Sequence, residues 1–291
     1  MVRKRTAAFM KKLLFPVIGL CITLVSCVDW DNLFSKDDSV PEETDSGEPA
    51  VTPDGQLYNM SFDDWSKEGS HYVCYADDAS ANQKSVWGSA NESTAKLGKN
   101  TCTPDSVMLA VEGDGKHAVM LKTQQVSALF VKKLAAGSIF TGQMGSVNIS
   151  KLSATLKWGV PFTYRPKALE GYACYKPVEI NVVKPPYEDK KGTLDNGHVM
   201  VLLTDWEKQF TVDPGADKFV DVDNDSCIIG YGKITFDTVM EGYEKFTLNI
   251  DYRNDRTPRY VVVVGSSSSY GDYFSGGDGS TLWLDEFRFV Y

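Results

Sequence analysis

Histidine is scarce in this chain: three among 291 residues, at His71, His117 and His198, far apart in sequence. That spacing provides no H-E-x-x-H pair for a catalytic zinc. No G-x-S-x-G elbow occurs either, so the chemistry of a serine hydrolase lacks both its nucleophile turn and a nearby base. No C-x-x-C pair is present, which argues against a zinc knuckle. Lysine and arginine are nowhere dense enough to follow a phosphate backbone, so nucleic acid is excluded as a partner. No window of a dozen residues carries an apolar stripe of helical period. The longest apolar run, Leu13–Ser26, has 14 residues, short of the roughly 20 needed to span a bilayer as a helix.

That run follows a basic leader of Arg3, Lys4, Arg5, Lys11 and Lys12, the pattern of a secretory signal. It closes on Leu24-Val25-Ser26-Cys27, which resembles the bacterial lipobox. The expectation is cleavage before Cys27, lipidation of that residue, and anchoring by its acyl chains to the outer membrane of a Gram-negative bacterium. Without residues 1–27 the chain keeps 25 basic against 39 acidic residues, a surface suited to an exported domain. Four cysteines remain in the body: Cys74, Cys102, Cys174 and Cys227. Export permits disulfides, but buried thiols on strands fit equally well.

Residues 28–56 are rich in Asp, Glu, Ser and Pro and poor in apolar side chains, the composition of a disordered acidic tether. Residues 57–291 read as a single all-β domain, a jelly-roll sandwich. "FTLNIDYR" places Phe246, Leu248, Ile250 and Tyr252 on one face, and "ATLKW" alternates in the same way. "VEINVV", from Val178, reads as a further strand. "YVVVVG" and "VMVLL" are continuous apolar runs, expected of strands covered on both faces.

The glycine- and serine-rich stretch Gly265–Ser280 is no phosphate cradle. Asp278 stands where a cation would help, and a strand rather than a helix follows. In that strand Asp285 shares parity with Trp283, Phe287 and Phe289. A buried carboxylate needs a partner. Three resolutions are open: backbone amides or an arginine; a bulge at Asp285-Glu286; or a structural Ca²⁺ held with Asp63 of the opening "SFDDW". "DVDNDS", Asp221–Ser226, starts like a calcium loop but has Ser226 at the sixth position and Gly232 at the twelfth, and reads as a solvated turn.

"FDDW", "SVWGSAN", "AAGSIFTG", "WGVPFTYRPKALEGYACYKP", "IIGYGKITF" and the closing "SSSSYGDYFSGGDGSTLWLDEFRFVY" fall in an order that resembles the putative carbohydrate metabolism (PCMD) domain. The resemblance covers nearly all of 59–291. Ala90 departs from it, standing where the family has glycine before Asn91. It implies a β-jelly roll similar to carbohydrate-binding modules, in surface lipoproteins of bacteria that forage on glycans. A sugar site needs an aromatic platform with polar groups beside it. Trp87 with Asn91, and Tyr164 with Arg165, meet that need, and Tyr175 is a further aromatic. Core packing for Trp87 and an acid partner for Arg165 are the competing readings. The expected function is non-catalytic binding of poly- or oligosaccharide in glycan utilisation. The alternatives are a glycoside hydrolase, or a structural or adhesin subunit of a surface assembly.

Overall fold

A computed structural model describes residues 47–111, 115–128, 130–148 and 152–291. The leader, Cys27 and most of the acidic stretch lie outside these residues. All strand pairs are antiparallel, in two large sheets and two hairpins. The five-stranded sheet runs Glu244–Asn249, Ala168–Lys176, Thr281–Val290, Ala118–Lys122, Cys102–Asp105. The nine-stranded sheet runs Phe210–Val212, Ser153–Trp158, Ser138–Asn148, Tyr260–Ser266, Gly197–Thr204, Ile228–Phe236, Asp251–Tyr252. Val160–Pro161 and Trp87–Ser89 add to its flanks. The chain passes repeatedly from one sheet to the other, the wrapping of a jelly-roll sandwich.

The continuous apolar runs are the central strands of the larger sheet, and each feeds two cores. Val199, Val201, Val261 and Val263 point between the sheets. Leu202, Val262 and Val264 point outward, into a second core with Phe140, Trp158 and Trp206. Each such side chain contributes roughly 1.5–3 kcal/mol by leaving water, which is why neither face of these strands carries charge. "FTLNIDYR" alternates as expected, with Phe246, Leu248 and Ile250 buried. It is nonetheless two strands. At Ile250 the chain leaves the smaller sheet for the edge of the larger one, its amide held by the Lys167 carbonyl at 2.8 Å.

Two expectations need correction. "VEINVV" makes isolated bridges, Glu179 to Leu194 and Val182 to Gly276, and no strand. The ordered domain starts before residue 57. Ala50 and Val51 pack against the main core. The Gln56 side chain also donates to the Phe289 carbonyl at 3.1 Å and accepts from the Phe289 amide at 2.8 Å. The closing strand takes the bulge, one of its three expected resolutions. Leu282 and Leu284 face the core, then Phe287 and Phe289 do. The switch is a bulge opposite Gly171, where Glu286 takes φ 50°. One extra residue reverses the facing of everything beyond it. Trp283 and Asp285 therefore lie on the outer face, the indole donating to Asp105 at 2.9 Å.

Candidate functional site

A cavity of about 160 Å³ opens on the outer face of the nine-stranded sheet. Its floor comes from strand side chains of outward parity: Phe140, Met200 and Val264, with His198 and Ser266 one row along. One wall is the closing loop, through Gly271, Asp272 and Phe274; another is Lys133–Ala136, from the hairpin strand Val131–Ala135. These walls are in close contact. A Cβ added at Gly271 would lie 2.4 Å from the Ala136 Cβ, so only glycine lets the loop approach the hairpin.

Buried polar bonds hold the loop in this pose. Thr123 Oγ1 lies 2.8 and 2.7 Å from the Ser267 and Ser268 hydroxyls. The fully buried Asp195 accepts from Ser268 Oγ at 2.5 Å, the Gly277 amide at 2.7 Å and the Asn196 amide at 2.8 Å. Burial pushes its carboxyl above the ordinary range, and those hydrogen bonds pull it back. The serines of the loop are thus structural.

The charged groups of the cavity are tuned by their surroundings. Burial, with the nearby Lys233 charge, pushes the His198 imidazole down to about 3, so it is neutral at physiological pH; its Nδ1 lies 3.0 Å from Ser269 Oγ. Asp272 is accessible, yet set in a concave wall. Crowding by protein pushes its carboxyl up to about 6, with Lys233 opposing. It is the one carboxylate among the described residues of the lining. Beside it the rings of Phe219, Tyr273, Tyr187 and Tyr270 form a partly exposed chain, with successive centroids 4.9, 5.2 and 4.4 Å apart.

A second, more polar cavity of about 180 Å³ lies beside the first hairpin and contains Trp65, Tyr72, Tyr75, His71, Glu68 and Glu92. Tyr75 donates to Glu68 Oε1 at 2.5 Å, and His71 Nε2 is 3.7 Å from Glu68 Oε2. Burial, the Glu68 contact and the Glu92 charge raise the Tyr75 phenol well above its usual value.

None of the five expected sugar contacts lines the outer-face cavity. Trp87 is 4% exposed; its indole donates to the Tyr58 carbonyl at 2.8 Å and its ring packs on Phe62. It also borders the polar cavity beside the first hairpin. Asn91 is wholly buried and joins two segments, donating to the Cys102 and Tyr72 carbonyls and accepting from the Thr101 and Cys102 amides. Tyr175 is wholly buried, with its hydroxyl on the Ser267 carbonyl. Arg165 donates to the Arg256 and Asn254 carbonyls and lies 4.1 Å over the Tyr252 ring, so its partners are backbone rather than acid. Tyr164 is half-buried beside Tyr291, in a shallow depression with Phe162 and Arg259.

Both carboxylates of the expected cation pair accept backbone amides. Asp285, 2% exposed, accepts from the amides of Ala110 and Glu286, and Asp63 accepts from those of Lys116 and His117. The bulge brings Glu286, not Asp285, to Gly115 beside Asp63. Among the described residues no group of three His, Cys, Asp or Glu is disposed to hold a metal. The four body cysteines are thiols; three are buried and Cys227 is half-buried. Asp221 caps its own turn through Asn224.

A family model, the putative carbohydrate metabolism domain, matches residues 61–290. The chain belongs to that family. This PCMD domain shares its fold with two solved proteins, each described as a putative glycoside hydrolase. One, from Bacteroides thetaiotaomicron VPI-5482, is 20% identical over 81% of this chain and 71% of its own, with a TM-score of 0.58. The other, from Bacteroides vulgatus ATCC 8482, is 19% identical over 80% of this chain and 96% of its own, with a TM-score of 0.55. No curated protein matches the chain. The cavity-lining residues of this PCMD domain were missed because Gly271, Asp272 and Phe274 sit in a glycine-rich loop without strand parity. Their signal was an acid among aromatics in "YGDYF".

Proposed function

We propose that the chain is a lipid-anchored, outer-membrane protein of glycan utilisation that binds saccharide in the outer-face cavity. One observation carries the reading: an apolar floor of Phe140, Met200 and Val264 meets polar groups of Ser138, His198, Ser269 and Asp272 in one concave site. A sugar ring offers an apolar face and a polar edge, which such a surface complements. Membership of a carbohydrate metabolism family supports saccharide as the chemical class. Calorimetry with an oligosaccharide panel tests it: Asp272→Asn is expected to weaken binding about tenfold. Absence of binding by every saccharide at millimolar concentration sinks it. The anchor rests on the leader and Cys27; loss of acyl labelling and of membrane association in Cys27→Ala checks it.

A second reading, glycoside hydrolysis, is favoured by the polar cavity. It gathers two carboxylates, Glu68 and Glu92, among Trp65, Tyr72 and Tyr75. Hydrolysis of this kind uses one carboxyl as proton donor and another as base or nucleophile. The descriptions of the two solved proteins point the same way. Release of reducing ends that Glu68→Gln and Glu92→Gln each abolish would support it; no release from the whole panel defeats it.

A further inference from the structure

Lys133 lines the outer-face cavity and Lys184 is joined through its backbone to the loop that walls it; among the described residues neither is paired with an acid. Lys133 is part of the lining, its Nζ 3.9 Å over the Phe274 ring. Lys184 is tied to the same loop one residue on, its amide donating to Ser275 Oγ at 2.8 Å. Partial burial, and then the Lys184 charge, weaken the hold of Lys133 on its proton. Among the described residues neither lysine forms an ion pair, whereas Lys190 meets Asp189 at 3.0 Å and Lys245 meets Glu170 at 3.0 Å. The cavity's own carboxylate, Asp272, is served by Lys233.

This arrangement runs against the chain's composition, 39 acids against 30 bases. Adjacent like charges repel, and more strongly where water is partly excluded. The Phe274 ring holds Lys133 in place despite that repulsion. The geometry points to an anionic ligand: the saccharide held in this cavity carries a carboxylate or sulfate group that meets Lys133 and Lys184. This rests on the saccharide reading of the same cavity.

Matched ligand pairs on the exported chain provide the test. Calorimetry at low salt compares oligogalacturonate with its neutral methyl ester, and a sulfated galactan oligosaccharide with its desulfated form. In one pair or the other, the acidic member is expected to bind about tenfold more tightly. The double substitution Lys133→Gln, Lys184→Gln removes that difference. The pair that responds identifies carboxylate or sulfate as the recognised group. Equal binding within both pairs overturns the anionic assignment alone, as does a preference that survives the double substitution. Failure of every ligand overturns the saccharide reading with it. Thermal melting confirms that the variant is folded; should it not be, Lys184→Gln, at an exposed position, carries the same comparison.

Discussion

Asp195 and Ser268 share a hydrogen bond of 2.5 Å in the interior, between the residue two before the strand Gly197–Thr204 and the loop that walls the cavity. The same carboxylate takes the Gly277 amide farther along that loop. Asp195→Ala strands a hydroxyl and two amides in the interior. At about 1–3 kcal/mol for each buried group left unsatisfied, a loss on the order of 3 kcal/mol is expected by denaturant unfolding. Unchanged stability would show that the loop is held elsewhere.

Trp87→Ala tests the corrected role of that residue. Its ring fills the main core against Phe62, so truncation is expected to cost about 3–5 kcal/mol. At a temperature where the variant remains folded, saccharide affinity should stay within about twofold of the parent. A tenfold loss of affinity with little change in stability would restore Trp87 as a platform.

Gly271→Ala places a methyl group against Ala136. Overpacking of this kind costs about 1–3 kcal/mol and here pushes the loop off the hairpin. Saccharide affinity is expected to fall with stability, because Gly271 and Ala136 join two walls of the cavity. Preserved affinity in a destabilised variant would separate the loop from the site.

The buried His198 makes stability depend on pH in one direction. Its folded value of about 3 lies below the ordinary imidazole value of 6.5. Above pH 6.5 both states are neutral and its full contribution is present. As pH falls from 6.5 toward 3, the unfolded chain takes up a proton that the folded chain refuses, and stability is lost. By pH 5 the loss is about 2 kcal/mol. Asp272, raised to about 6, acts in the opposite sense, so the readout is the difference between parent and His198→Gln from pH 7.5 to 5. A constant difference would count against the assignment.

Calcium or a chelator is expected to shift the melting temperature by no more than about 1 °C. The Asp285 and Asp63 carboxylates already accept backbone amides. A calcium-dependent rise of several degrees would return the metal to this site.

The all-β class and its central strands were legible because period-two alternation and continuous β-branched runs reflect burial on one face or two, a local property of each segment. The bulge at Glu286 was legible as one of three resolutions of a single anomaly, an acid sharing parity with aromatics. The burial of Trp87, Asn91 and Tyr175 was not legible, for a common reason. A side chain in a short motif carries no record of which distant segment covers it, and Tyr58, Cys102 and Ser267 do the covering.

The order of residues alone determined that this chain would fold into stacked antiparallel sheets, since that follows from the spacing of apolar side chains along the backbone. Where the concave site lies was decided only in three dimensions. Closing Gly271 onto Ala136 and seating Lys133 on Phe274 joins groups widely separated in sequence, and contacts of that range depend on the packing of the whole sandwich rather than on any local pattern.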